Sequence, residues 1–189
     1  MKIYLDVDGV LADFISASQR AHNRPLERPT QWHYYRGWGL SSNQFWGPIN
    51  EQGKAFWGGL DKLPWADEVV ELCEMISGQR VTFLTMPCAV RSYAELDRIA
   101  GRKTWILRNY PGRESIIGEN KPPYARRDRV LVDDHTKNVS EWREAGGHAI
   151  LFNGLACQMG KFEKLARLAG HLYSYKDQIS LNARLRQNT

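Results

Sequence analysis

Cysteine is scarce in this chain and never clustered: Cys73, Cys88 and Cys157 are the only three among 189 residues, and none forms a C-x-x-C pair. An odd, scattered set argues against a disulfide framework and against a thiolate zinc site, leaving reduced and mostly buried thiols. Long apolar runs are missing too, so no segment is long enough to cross a bilayer. The start, Met1-Lys2-Ile3-Tyr4-Leu5-Asp6, reaches a carboxylate too early for a signal-peptide core, which makes cytoplasmic residence the expectation. No internal repeat and no low-complexity segment interrupts the chain. A formal net charge of +5 is no strong excess of one sign. It suits anionic ligands such as phosphate esters, and equally suits weak nucleic-acid contact. The denser basic patches, Arg126-Arg127-Asp128-Arg129 and Arg184 to Arg186, read first as solvated surface. With 42% hydrophobic residues, the chain can bury one good core and carry a small insertion.

Five short apolar runs are present: Lys2 to Leu5, Arg80 to Leu84, Ser115 to Ile117, Arg129 to Val132 and His148 to Phe152. Runs of this length, bounded by polar residues, read as buried parallel strands. Helical patterns alternate with them: Asp67 to Ile76 before Gly78, Ser92 to Ile99 and Thr104 to Tyr110 as one or two helices, Thr136 to Ala145, and Lys161 to Leu185. Alternation of this kind predicts an open, mostly parallel α/β sheet with a Rossmann-like three-layer core. Between about Gln19 and Pro64 there is no convincing strand, but a concentration of aromatic residues from Trp32 to Trp57. That stretch reads as a small helical cap inserted after the first strand and its helix. The expected division is a discontinuous core of residues 1–18 and 65–189 with a cap of residues 19–64.

In open α/β sheets, ligands bind beyond the carboxyl ends of the strands. The apolar runs here end in Asp6 and Asp8, in Thr85, and in Asp133 with Asp134. Asp6 and Asp8 are two residues apart, so an extended backbone points both carboxylates to one side, and Gly9 allows a sharp turn after them. Close carboxylates repel unless a cation or shared proton intervenes, and Mg²⁺, a hard ion, suits oxygen ligands. Asp133 is a further candidate ligand. An aspartate in such a site can attack phosphorus and a second can serve as acid and base. Thr85 is placed to bond a phosphoryl oxygen and Lys121 to neutralise charge. Singly, each has a plainer reading: Asp133-Asp134 caps a helix, Thr85 ends a strand, Lys121 is solvated. The D-x-D-G string also opens calcium loops, but the apolar Val10-Leu11-Ala12 that follows excludes one. Their conjunction in this order on these strand ends outweighs the separate readings.

These residues resemble the haloacid dehalogenase (HAD)-like phosphatase superfamily, in D-V-D-G-V (Asp6 to Val10), the run into Thr85, Lys121, and V-L-V-D-D (Val130 to Asp134). The resemblance implies a nucleophile at Asp6, an acid/base at Asp8, and Mg²⁺ held by Asp6, the Asp8 carbonyl and Asp133. Within that superfamily the chain looks most like the 5'(3')-deoxyribonucleotidases, through D-V-D-G-V-L-A-D-F (Asp6 to Phe14), F-W-G-G-L (Phe56 to Leu60) and N-K-P-P (Asn120 to Pro123). This implies a nucleoside monophosphate substrate, Thr85 and Met86 beside the phosphate, and Phe56 and Trp57 against the base. His135 stands where the family usually has Arg; it starts a helix and is expected to face solvent. Trp32 and Trp38 are expected to be packing residues. Two other readings compete: a phosphatase for another small phosphate or for a nucleic-acid end gripped by Arg126 to Arg129, and a binding module without activity. The expected partner is a small phosphomonoester, with no membrane and with nucleic acid not favoured.

Overall fold

The computed structural model describes residues 1–86, 93–118, 120–153 and 158–187. Cys88, Cys157, Pro87 and the Ser92 helix start therefore lie outside the described residues. Cys73, on a helix under the sheet, is fully buried, and burial raises its thiol well above the ordinary range, which leaves it unreactive.

The expected runs form β1 (Lys2–Leu5), β2 (Thr82–Thr85), β3 (Ser115–Ile117), β4 (Arg129–Asp133) and β5 (His148–Leu151). They make one sheet in the order β3-β2-β1-β4-β5, and every pairing is parallel. Side chains alternate between faces as the pleat requires. Ile3, Leu5, Phe83, Val130, Val132 and Ile150 enter one buried cluster; Tyr4, Leu84, Leu131 and Ala149 enter another. The first face is covered by α3 (Ala66–Ser77), α4 (Tyr93–Asn109) and α6 (Lys161–Gln187), the second by α5 (Thr136–Glu144). This is the anticipated three-layer α/β fold. Because the chain moves outward from β1 to β2 and, later, from β4 the other way to β5, right-handed crossovers place α5 opposite α4. The sheet's switch point lies between β1 and β4, the pair whose carboxyl ends carry Asp6 and Asp133.

Before α3 the chain forms α1 (Phe14–Ala21), a 3-10 turn (Tyr34–Trp38) and α2 (Ser42–Gly58). Ser41 and Gln44 make a reciprocal capping box at the start of α2. The helix carries Pro48 and breaks at Gly53, whose φ of 51° and ψ of −135° leave the helical region. Past that break, Phe56 and Trp57 turn inward and join Tyr35, Phe45 and Ile49 in the same buried cluster as β1. No helix among the described residues is long and apolar enough to cross a membrane.

Residues 93–109 form a single helix, one of the two forms the sequence pattern allows, with Gly101 inside it. At Gly101, α4 comes into close contact with α2. A side-chain carbon there would lie 2.5 Å from Cβ of Trp57 and 2.7 Å from the Lys54 carbonyl oxygen. Helix propensity alone makes Gly101→Ala stabilising by up to about 1 kcal/mol. We expect the opposite sign, a loss of roughly 1–3 kcal/mol from overpacking, read as a lower midpoint in chemical denaturation.

Candidate active site

Strand pairing continues to the last residues of the sheet and fixes the acids there. The Asp6 amide donates to the Val132 carbonyl at 2.9 Å, and the Phe152 amide to the Asp133 carbonyl at 2.8 Å. After Asp8 the chain turns within four residues, Gly9 and Ala12 closing on each other at 2.9 Å. Gly9 takes a φ of +76°, and a Cβ there would fall 1.8 Å from Oδ2 of Asp134. The turn therefore requires glycine for its backbone and for the approach of the neighbouring strand's acid.

Asp6, Asp133 and Asp134 each present a carboxylate oxygen within 4.8 Å of the others. All three are buried. Lys121, itself 3% exposed, reaches between two of them, with Nζ 2.8 Å from Oδ1 of Asp6 and 2.5 Å from Oδ2 of Asp133. Burial pushes the Asp6 carboxyl up to about 7, with Lys121 opposing and Asp133 and Asp8 adding to the rise. Burial likewise raises Asp134, aided by Asp6 and Asp133. Burial works against a charge on Lys121, but Asp6 and Asp133 outweigh it and raise its pKa above the ordinary lysine range.

The two consecutive acids differ in what they hold. Asp133 accepts from Lys121, from the His135 amide at 2.8 Å, and from Asn138 Nδ2 at 3.1 Å on each oxygen. Among the described residues nothing donates to Asp134. Asp8 is separate again: its Oδ2 accepts from Arg102, from Nε at 3.0 Å and from Nη2, while its Oδ1 is buried without a partner. Thr85 is also buried, its hydroxyl unpartnered. Thus Asp6, Lys121, Asp133 and Asp134 meet directly, and Asp8 stands beside them under Arg102.

Above the acids lies a cavity of about 380 Å³, lined by Asp6, Asp8 and Asp134, by Met86, His135 and Asn138, and by the aromatic residues Phe14, Trp32, Tyr34 and Trp46. Phe56 does not line it. Its ring is 6% exposed and faces a different depression, between α1 and α2. Trp57 reaches the cavity wall but is only 2% exposed, one face stacked on Phe14 at 5.4 Å and the Arg102 guanidinium over the ring at 4.1 Å. Neither Phe56 nor Trp57 exposes much of its ring to this cavity, whereas Phe14, Trp32, Tyr34 and Trp46 are half-buried and line it. Trp38 packs into the core cluster as expected. Trp32 does not behave as simple packing: it stacks on His135 at 4.6 Å over the cavity. His135 is half-buried rather than solvent-facing; its Nδ1 caps α5 by accepting from the Lys137 amide at 3.2 Å, and burial lowers its pKa.

Arg126 and Arg129 donate to the carbonyls of Pro123, Ala125 and Tyr124. Arg129 begins β4, at the sheet edge opposite Asp133, so four residues of strand, roughly 13 Å, separate this basic stretch from the acids. Sequence reading missed Arg102, Arg98 and Asn138, and named Asp134 without giving it a role. Only Asp134 carried a local signal, as half of an acidic pair.

No protein-family model matches the chain, and no curated protein does. Among solved structures, it is similar to a protein from Thermotoga maritima assigned as a beta-phosphoglucomutase. That match has 15% identity and a TM-score of 0.52, over 94% of this chain and 99% of that one. It is also similar to a protein from Bacillus subtilis assigned as a HAD-hydrolase and solved bound to magnesium. There the identity is 14% and the TM-score 0.51, over 89% of this chain and 98% of that one. At such identities the likeness establishes the α/β HAD-like fold.

Because Lys121 faces two buried carboxylates, Lys121→Met leaves both without their cation. We expect a loss of roughly 3–5 kcal/mol in metal-free buffer, measured by chemical denaturation. An unchanged midpoint would mean that water already solvates these acids.

Proposed function

We infer that the chain is a Mg²⁺-dependent phosphomonoester hydrolase with Asp6 as nucleophile, acting on nucleoside monophosphates. The observation that carries this reading is the buried cluster of Asp6, Asp133 and Asp134, bridged by Lys121 at the switch point of the sheet. Cap residues 19–64 would close over a core of residues 1–18 and 65–189.

The donor set fits magnesium: three carboxylates and no nitrogen or sulfur ligand among the grouped residues. Asp6 and Asp134 are the residues suited to hold the ion, since Asp133 is occupied by Lys121, Asn138 and the His135 amide. This moves the ligand role from Asp133, as the resemblance implied, to its neighbour. When bound, magnesium supplies positive charge that reduces repulsion between a phosphate dianion and the carboxylates.

The protein's own groups supply the rest. Lys121 orients Asp6 through Oδ1, leaving the other oxygen for in-line attack on phosphorus. The unpartnered hydroxyl of Thr85 offers a donor to a phosphoryl oxygen. Asp8 delivers a proton to the departing ester oxygen, then removes one from the water that opens the aspartyl-phosphate. Met86 and the half-buried aromatic rings enclose the leaving group, and flat rings hold a base with little demand on its identity. The location of Arg126 and Arg129 at the far sheet edge removes the feature that had favoured a nucleic-acid end. Another small phosphate ester is the reading left beside the nucleotide.

Phosphate release from a panel of nucleoside monophosphates with Mg²⁺ tests this directly. We expect turnover that EDTA abolishes and that Asp6→Asn lowers by roughly a thousandfold, about 4 kcal/mol of barrier. Silence on nucleotides with turnover of an aryl phosphate would keep the chemistry and discard the nucleotide. Full activity in Asp6→Asn would discard the nucleophile.

A further inference from the structure

A second cavity, of about 530 Å³, lies over the carboxyl end of β5 and is larger than the one above the acids. Its volume is in the range of small-molecule sites, roughly 300–1,000 Å³. Ile150, Phe152, Met159 and Leu168 give it apolar walls, and Thr30 to Trp32, from the segment before the 3-10 turn, complete it. That segment is tied in place. Arg28 donates to Asn153 Oδ1 at 3.2 Å, and Asn153 Nδ2 donates to the Gly9 carbonyl at 2.9 Å. Trp32 and Asp134 border both cavities; the remaining wall residues are different.

Lys164 sets this cavity apart. It is 3% exposed, its Nζ donates to the Met159 carbonyl at 2.6 Å, and it lies 4.7 Å from the centre of the Trp65 ring. No carboxylate pairs with it among the described residues. An ammonium carries three donors, and burying one without a counter-charge is costly. A carbonyl and an indole face answer it with partial charges only. Lys161, at the start of the same helix, shows the ordinary solution: it is half-buried and ion-paired with Glu68. Arg167, one turn beyond Lys164, lines the cavity from an exposed position and likewise has no carboxylate partner among the described residues. A methionine in place of Lys164 would pack on Trp65 without the cost of a buried charge. Two cations without carboxylates, on the wall of an otherwise apolar cavity, fit an anion that carries an apolar body.

We propose that this cavity is a second binding site, for a small phosphorylated molecule whose phosphate meets Lys164 and Arg167 and whose flat body lies along Phe152 and Trp32. A phosphate dianion matches two cations, and aromatic rings suit a flat body. The charges on the wall also orient it. Both cations come from α6, whereas the carboxylate of Asp134 comes from the end of β4, so the anion is drawn to the helix. Thr30, Gln31 and Gln158 supply hydrogen-bonding groups for polar atoms of the body. No bond is made or broken there, and the site does not depend on hydrolysis at Asp6.

Equilibrium dialysis in metal-free buffer tests this, with adenosine 5′-monophosphate as the probe and inorganic phosphate and adenosine as its two halves. Without a divalent ion the acid cluster repels a phosphate dianion, so binding under these conditions reports the second cavity. We expect one nucleotide per chain with a Kd below about 1 mM, and each half roughly tenfold weaker or more. Lys164→Met should weaken the nucleotide about 30-fold, through loss of a charged donor. Arg167→Gln should weaken it about threefold, as befits an exposed cation. Because Arg167 is exposed, that variant reads the site even where Lys164→Met fails to fold. Asp6→Asn should leave the affinity within about twofold, since screening weakens the influence of the acid cluster at this distance. A marked gain in Asp6→Asn would place the nucleotide over the acids and overturn the assignment. So would unchanged binding in either folded α6 variant, equal affinity for inorganic phosphate alone, or no binding by wild type. A protein that binds in the expected way yet releases no phosphate from any ester would defeat the hydrolase reading and keep the site.

Discussion

Lys121 between Asp6 and Asp133 is the contact on which the rest of the architecture turns. Parallel strands bring acids to one edge of the sheet, and burial there makes their charges costly unless a cation stands within hydrogen-bond reach. Lys121 meets that need from the segment just before β4, where the 3-10 turn Pro122–Tyr124 immediately follows it. Prolines at the start of that turn suit a position without intrahelical donors and restrict the backbone next to the lysine. The strand order matters for the same reason. Only neighbours across the switch point set Asp6 and Asp133 side by side at the mouth of one crevice.

A second constraint ties the helical segment after β1 to the sheet. Crossing chains bury carbonyls that helices and strands cannot satisfy, and indole N–H groups reach several of them. Trp105 Nε1 donates to the Leu60 carbonyl at 2.7 Å, and Trp65 Nε1 to the Val10 carbonyl at 3.0 Å. The first closes the exit of α2 against α4; the second holds the turn after Asp8 against the start of α3. Tryptophan serves here because one side chain brings a large apolar area and one donor. The aromatic richness of this region is therefore divided in function. Trp65, Trp105 and Trp57 build structure, whereas Phe14, Trp32, Tyr34 and Trp46 keep surface on the cavity.

What the sequence made legible was whatever depends on local pattern. Each strand is an apolar run whose end is marked by a change to polar residues, so all five strands and the edge bearing Asp6, Thr85 and Asp133 could be read directly. Gly101 could not be read, because a glycine stopping a helix and one admitting a neighbouring helix look alike in one dimension. Arg102 is hidden for a related reason. It sits near Arg98, Lys103 and Arg108 on a helix of low hydrophobicity, and only the packing of α4 on α2 separates the buried Arg98 and Arg102 from the other basic residues. Phe56 and Trp57 show a different limit of local pattern. A motif located them near the site, but the break at Gly53 and the stack on Phe14 determine which faces are covered.

The pair Asp133-Asp134 shows most clearly what three-dimensional accounting adds. Two identical residues in succession carry no sequence information about which of them meets a ligand. A carboxylate has about four lone-pair positions to satisfy. Asp133 receives four hydrogen bonds, one from Lys121, one from the His135 amide and two from Asn138. Asp134 receives none among the described residues, yet it is 7% exposed and near the strongly turned backbone of Gly9. A group that is filled can only orient its donors; a group that is open and crowded by other negative charge still lacks its counter-charge. Asp133 is thereby the residue that holds Lys121 against Asp6 and anchors the start of α5. Asp134 is buried beside Asp6 and Asp133 with no donor of its own among the described residues, and its carboxyl is accordingly raised well above the ordinary range.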